Sequence, residues 1–325
     1  MYNRPEEVQE LLESFEQQTS SASYEVVLVE DGSTLDSELV VARFRESVNI
    51  SYYQKENTGP GHSRNYGMQR ANGNYFIILD SDCVLPPLYI ENALAALDKD
   101  FVHCFGGPDA ALDSFSNVQK AINYVMTSVL TTGGIRGRKS QLGKFQPRSF
   151  NMGLSREAFE ASKGFGNIHP GEDPQLVMRL WDMGYETRLF PEVFVYHKRR
   201  IDWRKFYKQV RKFGFVRPIL TQEFPESAKI TYWFPTVFVI GVILSFCLAL
   251  FQIVLPLLIV LSYLLGVFVH ALFATKSITI AGQSIYALLI QFIGYGSAFL
   301  MSTFFIRILK RNPEKHYPNL YFINE

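Results

Sequence analysis

The sequence predicts an α/β domain with a Rossmann-like, mostly parallel sheet, followed by transmembrane helices. Three observations predict it. Short β-rich runs alternate with helical stretches of about ten residues, a pattern that argues a sheet with helices packed on its faces. One such run, Tyr75-Phe76-Ile77-Ile78-Leu79, ends in Asp80-Ser81-Asp82, and ligands in open α/β sheets bind at the carboxyl ends of the strands. From residue 230 to 306 the chain is almost entirely apolar, with Lys276 its only Lys or Arg.

Taken in order, residues 5–18 read as a helix, with Pro5 in its first turn. An α/β unit of this kind begins with a strand before that helix, so the first strand is expected to be missing, the chain being truncated or its start codon mis-assigned. Supplying upstream residues is expected to raise thermal stability and ligand affinity. Strands are predicted at residues 24–29, 49–54, 75–79 and 101–105. Helices are predicted at 35–45, 62–71, 116–130 and 175–183, and the Gly-rich, basic stretch 131–146 reads as a mobile loop.

Charge is balanced over the 325 residues, with 32 Lys and Arg against 31 Asp and Glu, but it is unevenly spread. Residues 198–217 hold nine Lys and Arg and a single acid, Asp202, interleaved with Trp203, Phe206, Tyr207, Phe213 and Phe215. That mixture fits an interfacial amphipathic helix resting on anionic headgroups of membrane lipid. Nucleic acid is not an expected partner. Cys83, Cys104 and Cys247 are scattered and odd in number, which argues against a disulfide framework or structural zinc and for a reducing compartment.

Residues 230–252, 253–273 and 284–306 each approach or exceed the roughly 20 apolar residues that span a bilayer. Pro256 and the polar stretch 275–284 separate them. The basic segment before the first span puts the soluble domain in the cytosol. Three full spans would then put Arg307, Lys310, Arg311 and Lys315 outside, against the same rule, so either one segment is re-entrant or interfacial or the rule fails. The expected layout is a catalytic domain over 1–197, a basic aromatic segment over 198–229, two to three spans over 230–309 and a tail over 310–325, in a multi-pass protein of a bacterial inner membrane.

Asp80 and Asp82 offer oxygen ligands, which Mg2+ and Mn2+ favour and usually share with substrate phosphates. A metal-held nucleoside diphosphate is the ligand that this chemistry suggests.

The motif series resembles the family 2 glycosyltransferases of GT-A fold. It runs through Tyr2-Asn3-Arg4-Pro5, Val29-Glu30-Asp31-Gly32-Ser33, Asn57-Thr58-Gly59-Pro60-Gly61, Arg64-Asn65-Tyr66-Gly67 and Asp80-Ser81-Asp82. It continues through Asn151-Met152-Gly153, Gly164-Phe165, Gly171-Glu172-Asp173 and Val195-Tyr196-His197. The resemblance implies a sugar donor activated as a nucleotide diphosphate. Tyr2 would pack on the base, Asp31 would accept hydrogen bonds from base or ribose, and Arg64 would contact base or diphosphate. Asp82 would ligate Mg2+ or Mn2+, Asp80 would hold ribose or metal-bound water, and His197 would complete the metal site or touch the diphosphate.

Asp173 is the expected general base toward an acceptor hydroxyl, with Glu172 orienting it or the acceptor. A plain turn at Asp31, a surface arginine at 64 and acidic capping at Glu172 and Asp173 are the bland readings of the same residues. Single displacement inverts the anomeric carbon. The expected acceptor is a glycan or a polyprenyl-linked sugar. Gln209-Val210-Arg211-Lys212-Phe213 only loosely echoes the Gln-x-x-Arg-Trp of processive synthases, which favours one sugar per encounter. A haloacid dehalogenase-type phosphatase would need an Asp where Val29 stands. The remaining alternatives are a membrane assembly protein that binds a nucleotide sugar without turning it over and a processive polysaccharide synthase.

Overall fold

Pro5 supplies the fixed φ of a first helical turn, and Glu6 and Glu7 stand where the helix dipole favours acids. The computed structural model accordingly opens on a helix, α1 (Pro5–Glu16). It describes residues 1–110, 115–132, 144–198 and 202–322. Then follow β1 (Val26–Asp31), α2 (Glu38–Phe44), β2 (Ile50–Lys55), α3 (Pro60–Arg70) and β3 (Tyr75–Leu79), in the predicted alternation. The second half of this part adds β4 (Cys83–Val84), α4 (Tyr89–Lys99), β5 (Cys104–Gly106) and β6 (Asp109–Ala110). Next come α5 (Asn117–Thr127), α6 (Val129–Thr132), β7 (Asn151–Ser155), α7 (Arg156–Ser162), α8 (Glu172–Asp182), β8 (Thr187–Leu189) and β9 (Val195–His197). Most of the stretch expected as a mobile loop, residues 133–143, lies outside the described residues.

The strands form three ladders, β1-β2, β3-β7-β5-β8 and β4-β9-β6. Parallel pairs (β1 with β2, β5 with β8, β6 with β9) and antiparallel pairs (β3 and β5 with β7, β4 with β9) are equally many, so the α/β architecture is mixed. Two of the antiparallel pairs come from β7, which runs between β3 and β5, and the third is β4 with β9. Among the described residues no strand precedes α1. Met1 instead lies beside β1: its amino group donates to the Val29 carbonyl and its carbonyl accepts from Asp31 N–H, both at 2.8 Å.

Side chains alternate across a strand, and β3 uses both faces. Phe76 and Ile78 enter a core with Met152, Leu154, Leu176 and Leu180. Tyr75, Ile77 and Leu79 pack on a second core holding Val8, Leu12, Val41 and Tyr89. That two-sided burial is why the run before Asp80 is continuously apolar rather than alternating.

The chain divides into two compact units, one of Met1–Leu112, Leu142–Lys198 and Tyr321–Glu325, the other of Asp113–Gln141 and Arg199–Leu320. The second holds α5, α6, α9 (Trp203–Glu223), α10 (Phe234–Leu250), α11 (Leu255–Thr275), α12 (Ile278–Ser302) and α13 (Pro313–His316). Three segments there are long and apolar enough to cross a membrane: Ile230–Leu250, Leu255–Thr275 and Ile278–Ile308. The expected polar break at 275–284 shrinks to Lys276 and Ser277, because Ser277 caps α12 through the Ile280 N–H and the polar residues beyond it join the helix. Pro256 opens α11 rather than separating spans, since a first helical turn needs no N–H from it.

The basic aromatic segment forms α9, whose start is capped by Asp202 accepting from Arg204 N–H at 2.6 Å. Arg199 and Arg200 of that segment lie outside the described residues. α9 packs along α12 through two glycines: a Cβ on Gly214 would meet the Tyr295 carbonyl at 2.4 Å, and one on Gly294 would meet Val210 at 2.8 Å. Such small residues let helix backbones approach closely, as membrane helices require.

Candidate functional site

The site is built on the strand and helix ends of the first unit. β1 ends in Asp31, which faces Lys55 across the parallel register of β2. Asp31 is buried, and its carboxylate is paired with the Lys55 ammonium. It also accepts from the backbone N–H groups of Thr58 and Gly59, each at 3.0 Å. The Asp31 carboxylate thus builds the 57–59 loop. Glu30 does the same for the following turn, accepting from Ser33, from Ser37 N–H and from Tyr52.

Asn3 ties the first residues to this turn, its N–H donating to Ser33 at 2.7 Å and its side-chain oxygen accepting from Leu35 N–H at 2.8 Å. Tyr2 beside it remains half exposed.

Helix α3 delivers Arg64 to the centre of the site. One guanidinium nitrogen donates to Asp80 at 2.7 Å and another to Glu172 at 2.9 Å, while the guanidinium carbon Cζ lies 5.3 Å from the Phe165 ring centroid. Asn65 fixes that aromatic by bonding both the Phe165 N–H and carbonyl, at 2.8 and 2.9 Å. The surface-arginine reading of Arg64 does not hold, because its side chain is only 15% exposed. Burial opposes its charge, but Asp80 and Glu172 outweigh that and raise its pKa.

Helix α8 begins at Glu172, three residues earlier than predicted, so Glu172 and Asp173 both lie in its first turn. Gly171 caps it with φ 131°, a backbone region that glycine alone enters freely. Glu172 is buried, and its second oxygen receives His169 Nδ1 at 3.1 Å and the Gly171 N–H at 3.0 Å. Burial by itself would raise the Glu172 pKa; the His169 hydrogen bond and the Arg64 charge reverse that and hold it below the usual carboxylate range. Asp173 points elsewhere, with its carboxylate 3.6 Å from the Arg148 guanidinium. The two acids thus differ in setting: Glu172 is locked in an ionised network with Arg64 and His169, and Asp173 faces Arg148.

At the end of β3, Asp80 and Asp82 diverge. Asp80 turns to Arg64, whereas Asp82 meets His197 Nε2 at 3.1 Å and Arg4 at 3.2 Å. The pairing of β4 with β9 brings His197 there, opposite Cys83 in the register. Asp82, Cys83 and His197 present ligand atoms within 4.8 Å of one another. The carboxylate and imidazole suit a divalent cation such as Mn2+. The Cys83 thiol does not: it is a soft donor, buried in the core and turned to the Phe150 carbonyl at 3.4 Å. His197 stacks on Phe150 at 4.8 Å, and its Nδ1 is buried with no hydrogen-bond partner among the described residues.

Seven of the eight site residues read from the sequence therefore gather into three clusters: Asp31 with Tyr2 nearby, Arg64 with Asp80 and Glu172, and Asp82 with His197. Asp173 stands next to the second. Sequence reasoning missed Lys55, Arg4, Arg148 and His169. The i,i+3 spacing of His169 and Glu172 is a signal that could have found one of them.

Residues 1–162 match the family model described as Glycosyl transferase family 2. An uncharacterised glycosyltransferase of Rickettsia felis is 37% identical over 100 residues, 31% of this chain and 16% of that protein. The chondroitin synthase of Escherichia coli is 27% identical over 148 residues, 43% of this chain and 22% of that protein. The chain thus spans under a quarter of the length of these two relatives. A mannosyltransferase of Pyrobaculum calidifontis, solved with GDP-Man and Mn2+, superposes with TM-score 0.57 at 16% identity over 93% of this chain and 84% of that one, a shared GT-A fold.

Proposed function

From its glycosyl transferase family 2 domain of GT-A fold, we propose that the chain is a membrane-anchored, inverting glycosyltransferase that uses a nucleotide-diphosphate sugar. The observation that carries this reading is Arg64. It joins Asp80, on the donor side, to Glu172, on the acceptor side, so the two halves of the site are held in one ionised network.

In this reading the nucleotide lies over Asp31 and Tyr2, and its diphosphate over Asp80, Asp82 and Arg64. Asp82 and His197 would hold Mg2+ or Mn2+, and the ion would supply positive charge to offset that of the departing diphosphate. Support comes from the Mn2+ and GDP-Man of the Pyrobaculum calidifontis mannosyltransferase and from the divalent-compatible pair Asp82 and His197. Asp173 takes the proton from the acceptor hydroxyl as its oxygen attacks the anomeric carbon from the face opposite the leaving group. Its role as base rather than Glu172 follows from the electrostatics. Glu172 already holds two donors besides Arg64 and has its pKa depressed, so it orients and does not accept.

The acceptor is read as a lipid-linked glycan, and the catalytic unit as facing the cytosol. The basic aromatic α9 and the three apolar segments support a site held against the bilayer. Residues 321 and 322 pair with 168 and 167 of the catalytic unit, which supports an even number of crossings between them. Arg307, Lys310, Arg311 and Lys315 then share the side of α9, as the positive-inside rule asks.

The test is release of nucleoside diphosphate from a panel of sugar nucleotides by the full chain in lipid, with Mn2+ and with EDTA. Metal-dependent release from one donor supports the reading; no release from any donor, in the presence of lipid-linked acceptors, favours a protein that only binds nucleotide sugars.

A further inference from the structure

Tyr321 and Phe322, which follow the apolar helices by more than ten residues, are built into the first unit. Tyr321 forms an antiparallel bridge with Ile168, and the Phe322 N–H donates to the Asn167 carbonyl at 2.9 Å. The Phe322 ring lies so close to Gly59 that a Cβ there would meet it at 2.4 Å. Its other neighbour is the His169 ring, 5.9 Å away between centroids.

These two contacts reach opposite sides of the site. Gly59 N–H is one of the donors that hold the Asp31 carboxylate. His169 is the donor that holds Glu172, which in turn holds Arg64 and through it Asp80. Phe322 is thus wedged between the 57–59 loop and the 167–171 loop, and each loop positions one acid of the site. Backbone pairing at 167–168 sets the depth of that wedge.

We propose that the segment Tyr321–Phe322 is a strap that completes the nucleotide site, with Phe322 a positioning residue for both the Asp31 loop and the His169–Glu172 pair. This rests on the nucleotide-sugar reading given above. Without the ring, the 57–59 loop loses its packing partner, and His169 can turn off Glu172.

Two measurements on the full chain in lipid nanodiscs test the proposal separately. The first is docking. Residues 168 and 321 form a non-hydrogen-bonded antiparallel pair, whose Cα atoms stand about 4.5 Å apart, within disulfide range. Ile168→Cys with Tyr321→Cys, in a Cys247→Ser background, is expected to form an intramolecular disulfide under mild oxidation. Failure to do so overturns the docked strap.

The second is the affinity of Mn2+ with UDP and with GDP. Phe322→Ala is expected to weaken the nucleotide that binds wild type by about tenfold, a change of about 1.4 kcal/mol, with the melting temperature unchanged. Phe322→Tyr is expected to restore it. Equal affinity of wild type and Phe322→Ala overturns the positioning role. If wild type binds neither nucleotide, the nucleotide-sugar reading and the strap's role in it fall together, while the disulfide still decides whether the segment docks.

Discussion

Arg64 and Glu172 are 108 positions apart in the chain, yet the guanidinium of one lies 2.9 Å from the carboxylate of the other, with both side chains largely buried. Asp80 holds the remaining arm of the same guanidinium at 2.7 Å. The pair and Asp80 therefore join the end of β3 to the start of α8. Removing one partner leaves the other charged and buried.

Replacing Arg64 with Ala is therefore expected to destabilise the first unit by about 3 kcal/mol, the scale for breaking a buried ion pair from one side. Glu172→Gln is expected to cost less, because the amide still accepts from His169 and Gly171. Thermal unfolding of the full chain in detergent, followed by a probe of the first unit, ranks the two variants. A smaller effect from Arg64→Ala than from a surface Arg70→Ala would remove the network from the account.

The pH dependence follows from the same carboxylate. The folded-state pKa of Glu172 is lowered, so the stability it contributes is fully present above the usual carboxylate pKa and is lost as pH falls toward its folded value. The difference in melting temperature between wild type and Glu172→Gln is expected to stay level from about pH 8 to about pH 5 and to shrink below about pH 4. Arg64, its pKa raised, stays charged throughout. A difference that instead grew on acidification would have the wrong sign for this network.

Asp82 and His197 predict a metal effect distinct from the network. Asp82→Ala is expected to abolish the gain in nucleotide affinity that Mn2+ brings, so that titrations with Mn2+ and with EDTA coincide. Arg4, 3.2 Å from Asp82, then loses its partner there but keeps Glu7. His197→Ala is expected to weaken the Mn2+ response without erasing it. Calorimetric titration of the full chain with UDP and GDP separates these outcomes; an undiminished Mn2+ response in Asp82→Ala would move the metal elsewhere.

Cysteine labelling tests the membrane topology. Among the native cysteines, Cys83 and Cys104 are buried, and Cys247 is exposed on α10. In a Cys247→Ser background, Arg204→Cys and Arg311→Cys are expected to react with a membrane-impermeant reagent from the same side as the catalytic unit. Labelling of the two positions from opposite sides would require an odd number of crossings.

Much of this was legible in the sequence, for reasons that particular residues show. β3 appeared at its true bounds because five apolar residues in a row, closed by two acids, leave little room for another reading. β4, β6, β8 and β9 were not legible, since strands of two or three residues are too short to display a period. Each motif acid was found, but its neighbours were not. That Asp31 spends its oxygens on Lys55, Thr58 and Gly59, or that Asp173 meets Arg148, depends on registers and loop returns that no local pattern encodes. The same holds for Phe322, whose contact with Gly59 spans nearly the whole chain.

The central claim is that Asp173 removes the acceptor proton in a metal-dependent transfer, and its most direct test compares wild type with Asp173→Asn in lipid. Sugar transfer from the donor that supports turnover is expected to fall about 100- to 10,000-fold, the range of general-base contributions, while Mn2+-dependent nucleotide affinity stays within about twofold. Turnover by Asp173→Asn at the wild-type rate would contradict the claim.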